Sequence, residues 1–427
     1  MRITASGDSH VGRVRTGNED SFLIDESIGL YMVCDGMGGH ASGEVASERA
    51  IAFASQYIQE RKSILATAGK SPGGYFQVVE MLEQAIQFAN DQLYRLGMVL
   101  AGHQGMGTTL TLVLVLDAKA IMGHVGDSRL YVIRDDRVHQ LSTDHTLANE
   151  MISQGQLSPD APELDRYSHV LTRAIGTRGT VEVETLLFDL FPDDVCVLCS
   201  DGLSNYLPAA ARLGELVDRQ WLQSAPSALI EYAMNAGGSD NITAITLLAR
   251  PGDDPTGGPE DLRRRLKLLK DSFLCKGLSE SRAMRLLNHS DLVCASAGQR
   301  LAVKNGPDAG VYFIHKGRIA LETPDGREVE LVSPSYFGET MLLRGGNPLS
   351  SAIISEDAEL QFISRRRFDA LSRRFPKLGR QLYKNLATEI CRRYCDQLSL
   401  SSTALEDTLL EDEHDLSASV MMFDEEE

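Results

Sequence analysis

The chain has 427 residues, 43% hydrophobic and 24% charged, with a formal net charge of −18. That length accommodates two domains, and so acidic a chain disfavours non-specific binding of nucleic acid. Part of the imbalance is local: residues 401–427 hold ten acidic side chains and no Lys or Arg, a composition that favours solvation over packing.

The N-terminal segment, MRITASGDSHVGRVRTGNED, lacks the apolar core of a signal peptide. The longest apolar run, around Leu110 to Leu116, is too short to span a bilayer. A cytoplasmic protein without a membrane partner is expected. Seven scattered cysteines do not read as a disulfide framework. Cys196 and Cys199 lie in a strand pattern, where an odd separation sets them on opposite faces as packing residues.

Residues 2–35 read as strands separated by turns. Within them, RTGNED (Arg15 to Asp20) combines carboxylates with a guanidinium whose planar fork matches two phosphate oxygens. The apolar approach to Val33 then ends in VCDGMGGH. A lone Asp-Gly makes a turn; the same pair also offers a carboxylate and an approachable main-chain carbonyl to a hard cation. Helical patterns cover about 42–61 and 75–97. In the second, Phe76, Val79, Leu82, Ile86, Ala89 and Leu93 form a stripe suited to covering a sheet.

Residues 107–117 are β-branched and apolar, a buried strand. A strand over 120–125 leads into Gly126-Asp127-Ser128-Arg129, and 131–133 with 138–141 form a hairpin around Asp135-Asp136. The polar stretch 143–173, with Gly155, Pro159 and Pro162, reads as an irregular functional flap or a mobile insertion. Strands resume at 181–191 and 194–200, the second ending in Ser200-Asp201-Gly202. After helical turns to Ala236, the stretch from Gly237 to Thr243 opens a last strand to Ala249. Asp35, Asp127, Asp201 and Asp240 therefore all stand at strand ends beside Gly or Ser, and Glu19 and Asp20 add two further acids. With no His/Cys set at zinc spacing, oxygen-preferring Mg²⁺ or Mn²⁺ is the physical expectation.

The ordered set RTGNEDS, VCDGMGGH, MGTTLTL, GDSR, LTRAIG, CSDGL and SDNIT closely resembles the metal-dependent (type 2C) serine/threonine protein phosphatases, bacterial branch, over about residues 1–250. The resemblance implies two antiparallel sheets packed face to face with helices outside each. It also implies hydrolysis of phosphoserine and phosphothreonine in protein substrates by a metal-activated water at a binuclear Mg²⁺ or Mn²⁺ centre, without a phosphoenzyme. Asp35 would bridge two ions, Asp201 and Asp240 would complete the first site, and Glu19 with the Gly36 carbonyl would serve the second. Asp20 would hold metal-bound waters, Asp127 with Asp201 would make a weaker third site, and Arg15 would grip the phosphate. Eukaryotic relatives carry a His two residues after the bridging Asp; here Met37 stands there and the nearest His is His40. Thr108 and Thr109 read as packing or supporting residues.

The linker and a basic helix (262–270) occupy 251–274, and a helix follows over 280–288. Strands at 311–321 and 327–332 flank a Pro324-Asp325-Gly326 turn. Residues 275–395 resemble the cyclic-nucleotide-binding domain, a β-roll with helices at both ends. Phe337-Gly338-Glu339 matches its phosphate-binding cassette, with Glu339 at the ribose 2′-hydroxyl position and Ser350 in the same candidate site. Leu349 stands where the family has the Arg that contacts the cyclic phosphate, a charge-assisted bond worth ~1.5–3 kcal/mol; Arg344 lies nearby. The expected effector is a cyclic nucleotide or another small molecule, and the alternative is a roll used for docking or dimerisation. A long helical pattern from Phe375 to Tyr394, begun by Pro376, packs on the roll or on a second subunit of a homodimer. Residues 396–427 form the expected disordered acidic tail. The fold class is thus α+β: an N-terminal two-sheet antiparallel sandwich flanked by helices, then a C-terminal β-roll with flanking helices. The expected function is a phosphatase regulated by the C-terminal domain; the alternative is a ligand-sensing or docking scaffold with a weakly active phosphatase half.

Overall fold

The computed structural model describes all residues except 39–40, 67, 69–73, 101–102, 159, 208–210, 218–221, 252–257, 302–308, 323–327, 344–350 and 401–427. His40, the Pro324–Gly326 turn, Arg344, Leu349, Ser350 and the tail from 401 therefore lie outside the described residues. The chain divides into two compact units, Met1–Leu266 with Ser279–Asn288, and Lys267–Leu278 with His289–Glu427. The first unit thus runs past residue 250 and takes in the helix at 280–288.

The first unit contains eleven strands among the described residues: β1 (Arg2–His10), β2 (Asp20–Asp25), β3 (Leu30–Met37), β4 (Gly107–Thr108), β5 (Leu110–Leu116), β6 (Lys119–Val125), β7 (Arg129–Arg134), β8 (Arg137–Gln140), β9 (Glu184–Asp189), β10 (Val195–Cys199) and β11 (Ile242–Arg250). One sheet has the order β1-β11-β10-β7-β8 and the other β2-β3-β5-β6-β9, with β4 beside β3; every pairing is antiparallel. The sheets meet where β10 and β11 lie against β2 and β3.

Strand parity decides which side chains go where. In β3, Leu30, Met32 and Cys34 join a core with Ala46, Ala50 and Ala54 of α1 (Ala41–Glu60) and Leu82, Ile86 and Leu93 of α2 (Gly74–Val99). Tyr31, Val33 and Asp35 have the opposite parity and face the other sheet. In β10, Val195, Val197 and Cys199 pack under α3 (Ala225–Ala236), which contributes Leu229 and Ala233. Cys199 belongs to that cluster while Cys196 has the other parity, as expected for packing thiols. Among the described residues no disulfide is present.

Three sequence expectations shift. The apolar run 107–117 is two strands, because the Thr109 N–H leaves the ladder to donate to the Asp35 carbonyl at 2.9 Å. The strand expected from 181 begins at Glu184, because the Val181 carbonyl accepts from the Gln87 side chain of α2 instead. The stretch 143–173 contains helices at Leu147–Ser153 and Asp165–Ser168. The first is capped by the Thr146 hydroxyl, which accepts from the Asn149 N–H. The helix at the end of this unit is α4 (Glu280–Asn288).

The second unit is an antiparallel sheet with the order β12-β17-β14-β15. Its strands are β12 (Asp291–Ala295), β13 (Arg300–Leu301), β14 (Gly310–Glu322), β15 (Glu328–Val332), β16 (Ser335–Phe337) and β17 (Ser351–Ser364); β13 pairs with β17 and β16 with β14. Its core stacks Tyr312 between Phe337 (centroids 5.0 Å apart) and Phe362 (4.4 Å). Helices α5 (Arg365–Arg374) and α6 (Pro376–Leu400) follow, with Pro376 at the start of α6. The expected α+β class holds for both units. No helix among the described residues is long and apolar enough to cross a membrane.

Candidate metal centre

The acids at the strand ends come together where the two sheets meet. Asp20 opens β2 and lies opposite Asp35 of β3 in the antiparallel register. Asp201 follows β10 and Asp240 precedes β11, the adjacent strand. Asp127 lies in the crossover from β6 to β7, which carries the chain from one sheet to the other.

Electrostatics report how close they are. Burial, then repulsion from Asp20, Asp201, Asp127 and Asp240, pushes the Asp35 carboxyl well above the usual carboxylate range. Burial, with repulsion from Asp201 and Asp240, pushes Asp20 up to about 7 even though two hydroxyls stabilise its anion. Asp127 is pushed up to about 7 by burial and then by Asp201 and Asp144. Asp201 is raised by burial and by repulsion from Asp240. Arg15 stands at the rim, its Nη2 2.8 Å from Asp240 Oδ2, with half its side chain exposed.

Neutral groups fix these acids. The Thr109 hydroxyl accepts from the Asp35 N–H (2.9 Å) and the Thr108 hydroxyl donates to the Asp35 carbonyl (2.8 Å), the supporting role expected of that pair. Ser200 and Thr243 hydroxyls each donate to Asp20 Oδ2 at 2.7 Å. Asn241 accepts from the Glu19 N–H (2.8 Å) and donates to the carbonyls of Val11 and Gly17 (2.9 Å each), tying down the loop that carries Arg15. Ser200, Asn241 and Thr243 were not singled out from the sequence, although they sit inside CSDGL and SDNIT. A hydroxyl or amide next to a strand-end Asp was the available signal.

Two glycines give Glu19 its place. A Cβ on Gly43 of α1 would lie 2.7 Å from the Glu19 carboxyl carbon, and a Cβ on Gly36 would lie 2.1 Å from the Gly43 carbonyl oxygen. The Gly36 N–H donates to the Glu19 carbonyl at 3.1 Å. Only glycine permits this approach.

Residues 6–235 match the family model described as Protein phosphatase 2C. The chain belongs to the protein phosphatase 2C family. It is 32% identical over 237 residues to the serine/threonine phosphatase stp of Listeria innocua, covering 55% of this chain and 91% of that one. It is equally identical over 247 residues to protein phosphatase PhpP of Streptococcus pneumoniae, covering 57% and 96%. Among solved structures, the Mycobacterium tuberculosis serine/threonine phosphatase PstP/Ppp matches with a TM-score of 0.51 at 28% identity, over 58% of this chain and 99% of that one. The catalytic domain of PstP in complex with two manganese ions matches with a TM-score of 0.50 at 29% identity, over the same shares. Residues 292–375 match the model described as Cyclic nucleotide-binding domain.

The protein phosphatase 2C site fits hard divalent cations on its own chemistry. Its donors are carboxylates and a carbonyl, the set preferred by Mg²⁺ and Mn²⁺. The buried Oδ1 of Asp20 accepts no hydrogen bond, and mutual repulsion raises four of the acids, which nearby cations would relieve.

In the second unit, Phe337 is 2% exposed and packed in the aromatic core. Gly338 has φ +81 and precedes the short helix containing Glu339. Glu339 is buried and accepts from Arg393 Nη1 of α6 at 3.1 Å. Arg393 also lies over the Tyr336 ring, 4.3 Å from its centroid.

Proposed function

We propose that the protein is a serine/threonine protein phosphatase that hydrolyses phosphoserine and phosphothreonine in protein substrates at two Mg²⁺ or Mn²⁺ ions. The convergence of Asp20, Asp35, Asp201 and Asp240 carries this reading. Asp35, Asp201 and Asp240 would hold one ion, Asp35, Glu19 and the Gly36 carbonyl the other, and Asp127 with Asp201 a weaker third. Divalent cations bound there supply Lewis acidity, activating a water and neutralising charge on phosphoryl oxygens.

The chain's own residues orient the rest. Thr108 and Thr109 fix the Asp35 backbone on both sides, so its carboxylate is held before substrate arrives. Ser200 and Thr243 hold Asp20 Oδ2, which leaves Oδ1 to accept a proton from a water and set its direction. Arg15 is exposed enough that its pairing with Asp240 contributes little, and its fork suits a phosphate dianion at the rim.

Hydrolysis of a phosphothreonine peptide is expected to require Mn²⁺ or Mg²⁺, to stop on chelation, and to fall by several orders of magnitude in Asp201→Asn and Asp240→Asn. Because Asp201→Asn also removes a repelling charge, the metal-free variant should melt higher than the parent, by about 1 kcal/mol or about 2–4 °C. Undiminished hydrolysis after chelation would rule the reading out.

The second unit is read as a regulatory module for a small effector, supported by the match over 292–375. A ribose hydroxyl at Glu339 has to compete with Arg393. Thermal shifts of the full-length protein with cyclic AMP and cyclic GMP test this: a concentration-dependent rise supports an effector role. No shift with either favours docking or dimerisation through the roll.

A further inference from the structure

Behind the acid site lies a second buried cluster. His124 of β6, His145 and Glu184 of β9 bring ligand-type atoms within 4.8 Å of one another, and the two imidazoles lie 4.8 Å apart between centroids. A cation is disfavoured here, because the groups are already committed. His124 Nδ1 is 2.9 Å from the Thr111 hydroxyl, and Nε2 is 3.1 Å from the Thr143 carbonyl. Arg285 of α4 donates from Nη2 to Glu184 Oε1 at 2.7 Å and from Nη1 to the Thr185 carbonyl. A guanidinium on the carboxylate replaces the metal ion in such a set.

The cluster leads instead to Asp127, from both of its flanks. On the N-terminal side, His145 grips the Gly126 peptide twice. Its N–H donates to the Gly126 carbonyl (2.7 Å), and its Nδ1 accepts from the Gly126 N–H (3.1 Å). On the far side of the ring, Nε2 lies 3.3 Å from Arg173 Nη1 and 3.8 Å from Glu184 Oε2. On the C-terminal side, the Ser128 carbonyl is 3.0 Å from the Thr111 hydroxyl, which spans to His124, and the Ser128 hydroxyl bonds Thr109 at 2.7 Å. His124 meets Thr143, whose N–H donates to Glu184 Oε2 at 3.1 Å. Both routes end on Glu184, and Glu184 is held by Arg285. Apart from Thr143 and Glu184, every side chain along them is at most 7% exposed.

We propose that Glu184 and Arg285 are positioning residues for the Asp127 metal subsite. Arg285 lies outside residues 6–235, so α4 adds to the phosphatase unit a support that its matched segment does not contain. Groups bonded directly to a metal ligand commonly set metal affinity; Glu184 and Arg285 act on Asp127 at longer range, through the Gly126 and Ser128 main chain and the buried His145, His124 and Thr111. The proposal rests on Asp127 being a metal ligand, as read above.

Full-length Arg285→Ala, Glu184→Gln and Arg285→Lys are compared with Asn288→Ala, which removes a different α4–β9 bond, to the Leu187 carbonyl. Mn²⁺ binding is followed by isothermal titration without substrate. Arg285→Ala and Glu184→Gln are expected to weaken the weakest Mn²⁺ site severalfold, less than the roughly tenfold loss for a partner bonded directly to a ligand, Arg285→Lys to recover most of that loss, and Asn288→Ala to bind as the parent does. Should Arg285→Ala fail to fold, Glu184→Gln and Arg285→Lys carry the comparison. Parent-like titration of Arg285→Ala and Glu184→Gln, or an equal loss in Asn288→Ala, overturns the proposal while leaving the metal centre intact. A parent that binds no Mn²⁺ overturns the reading of Asp127 and the proposal with it.

Discussion

Asp20 and His124 show how burial acts in opposite directions on an acid and a base. Burial raises Asp20 to about 7, and it lowers the His124 imidazole below its usual value of 6.5. A base whose folded pKa is depressed takes up its proton in the unfolded chain first, so the unfolded state binds more protons below about pH 6.5. The His124 contribution is therefore fully present above that pH and is lost as pH falls through and below it. His124→Asn should lower stability at pH 8. Its further loss of melting temperature between pH 8 and pH 5.5 should be smaller than the parent's, as read by calorimetry in metal-free buffer. An equal acid-side loss in both proteins would show that His124 is not held neutral. The residue was illegible in advance for a plain reason: a single His inside the apolar run AIMGHV looks like a packing residue, and its partners Thr111, Thr143 and Glu184 lie on other strands and loops.

At the scale of elements, β3 followed by α1 is the part most legible in the sequence. The continuous apolar run LYMVC marks a buried strand and puts Asp35 at its end beside a glycine; which parity faces the helices is given only by the fold. The breaks were less legible. Nothing local in GTTLTLVLVLD marks Thr109 as the residue whose N–H turns to Asp35. The late start of β9 depends on Gln87, nearly a hundred residues earlier. Gly43 gives a test in which two effects oppose each other. In an exposed helix Gly→Ala stabilises by about 1 kcal/mol, yet here the new Cβ would meet the Glu19 carboxyl carbon at 2.7 Å. To admit the Cβ the carboxyl group has to swing off the helix start, because the Gly36 N–H holds the Glu19 main chain at 3.1 Å and keeps the rest of the residue from moving with it. Gly43→Ala is expected to weaken Mn²⁺ binding measured by titration and to gain no melting temperature. A variant that melts higher and binds Mn²⁺ normally would show that Glu19 has room to move aside.

At the scale of the whole molecule, the site exists only because two sheets built from interleaved strands share one end. Asp20 and Asp240 are 220 positions apart in the chain, yet Thr243 and Ser200, on the sheet that carries Asp240, hold the carboxylate of Asp20. No spacing rule yields that meeting. It came from the resemblance of the ordered motifs, and the fold supplies its physical basis. The support from Arg285 was beyond both, since it arises from α4, whose neighbouring segments on either side belong to the second unit. The claim on which everything depends is that cations bind among Asp35, Asp201, Asp240 and Glu19. The most direct measurement is anomalous diffraction at the manganese edge from crystals of the full-length protein grown with Mn²⁺. The expected result is two strong peaks, both within bonding distance of Asp35, one beside Asp201 and Asp240 and the other beside Glu19 and the Gly36 carbonyl. Peaks only at His124, His145 and Glu184, or none within reach of Asp35, would contradict the account.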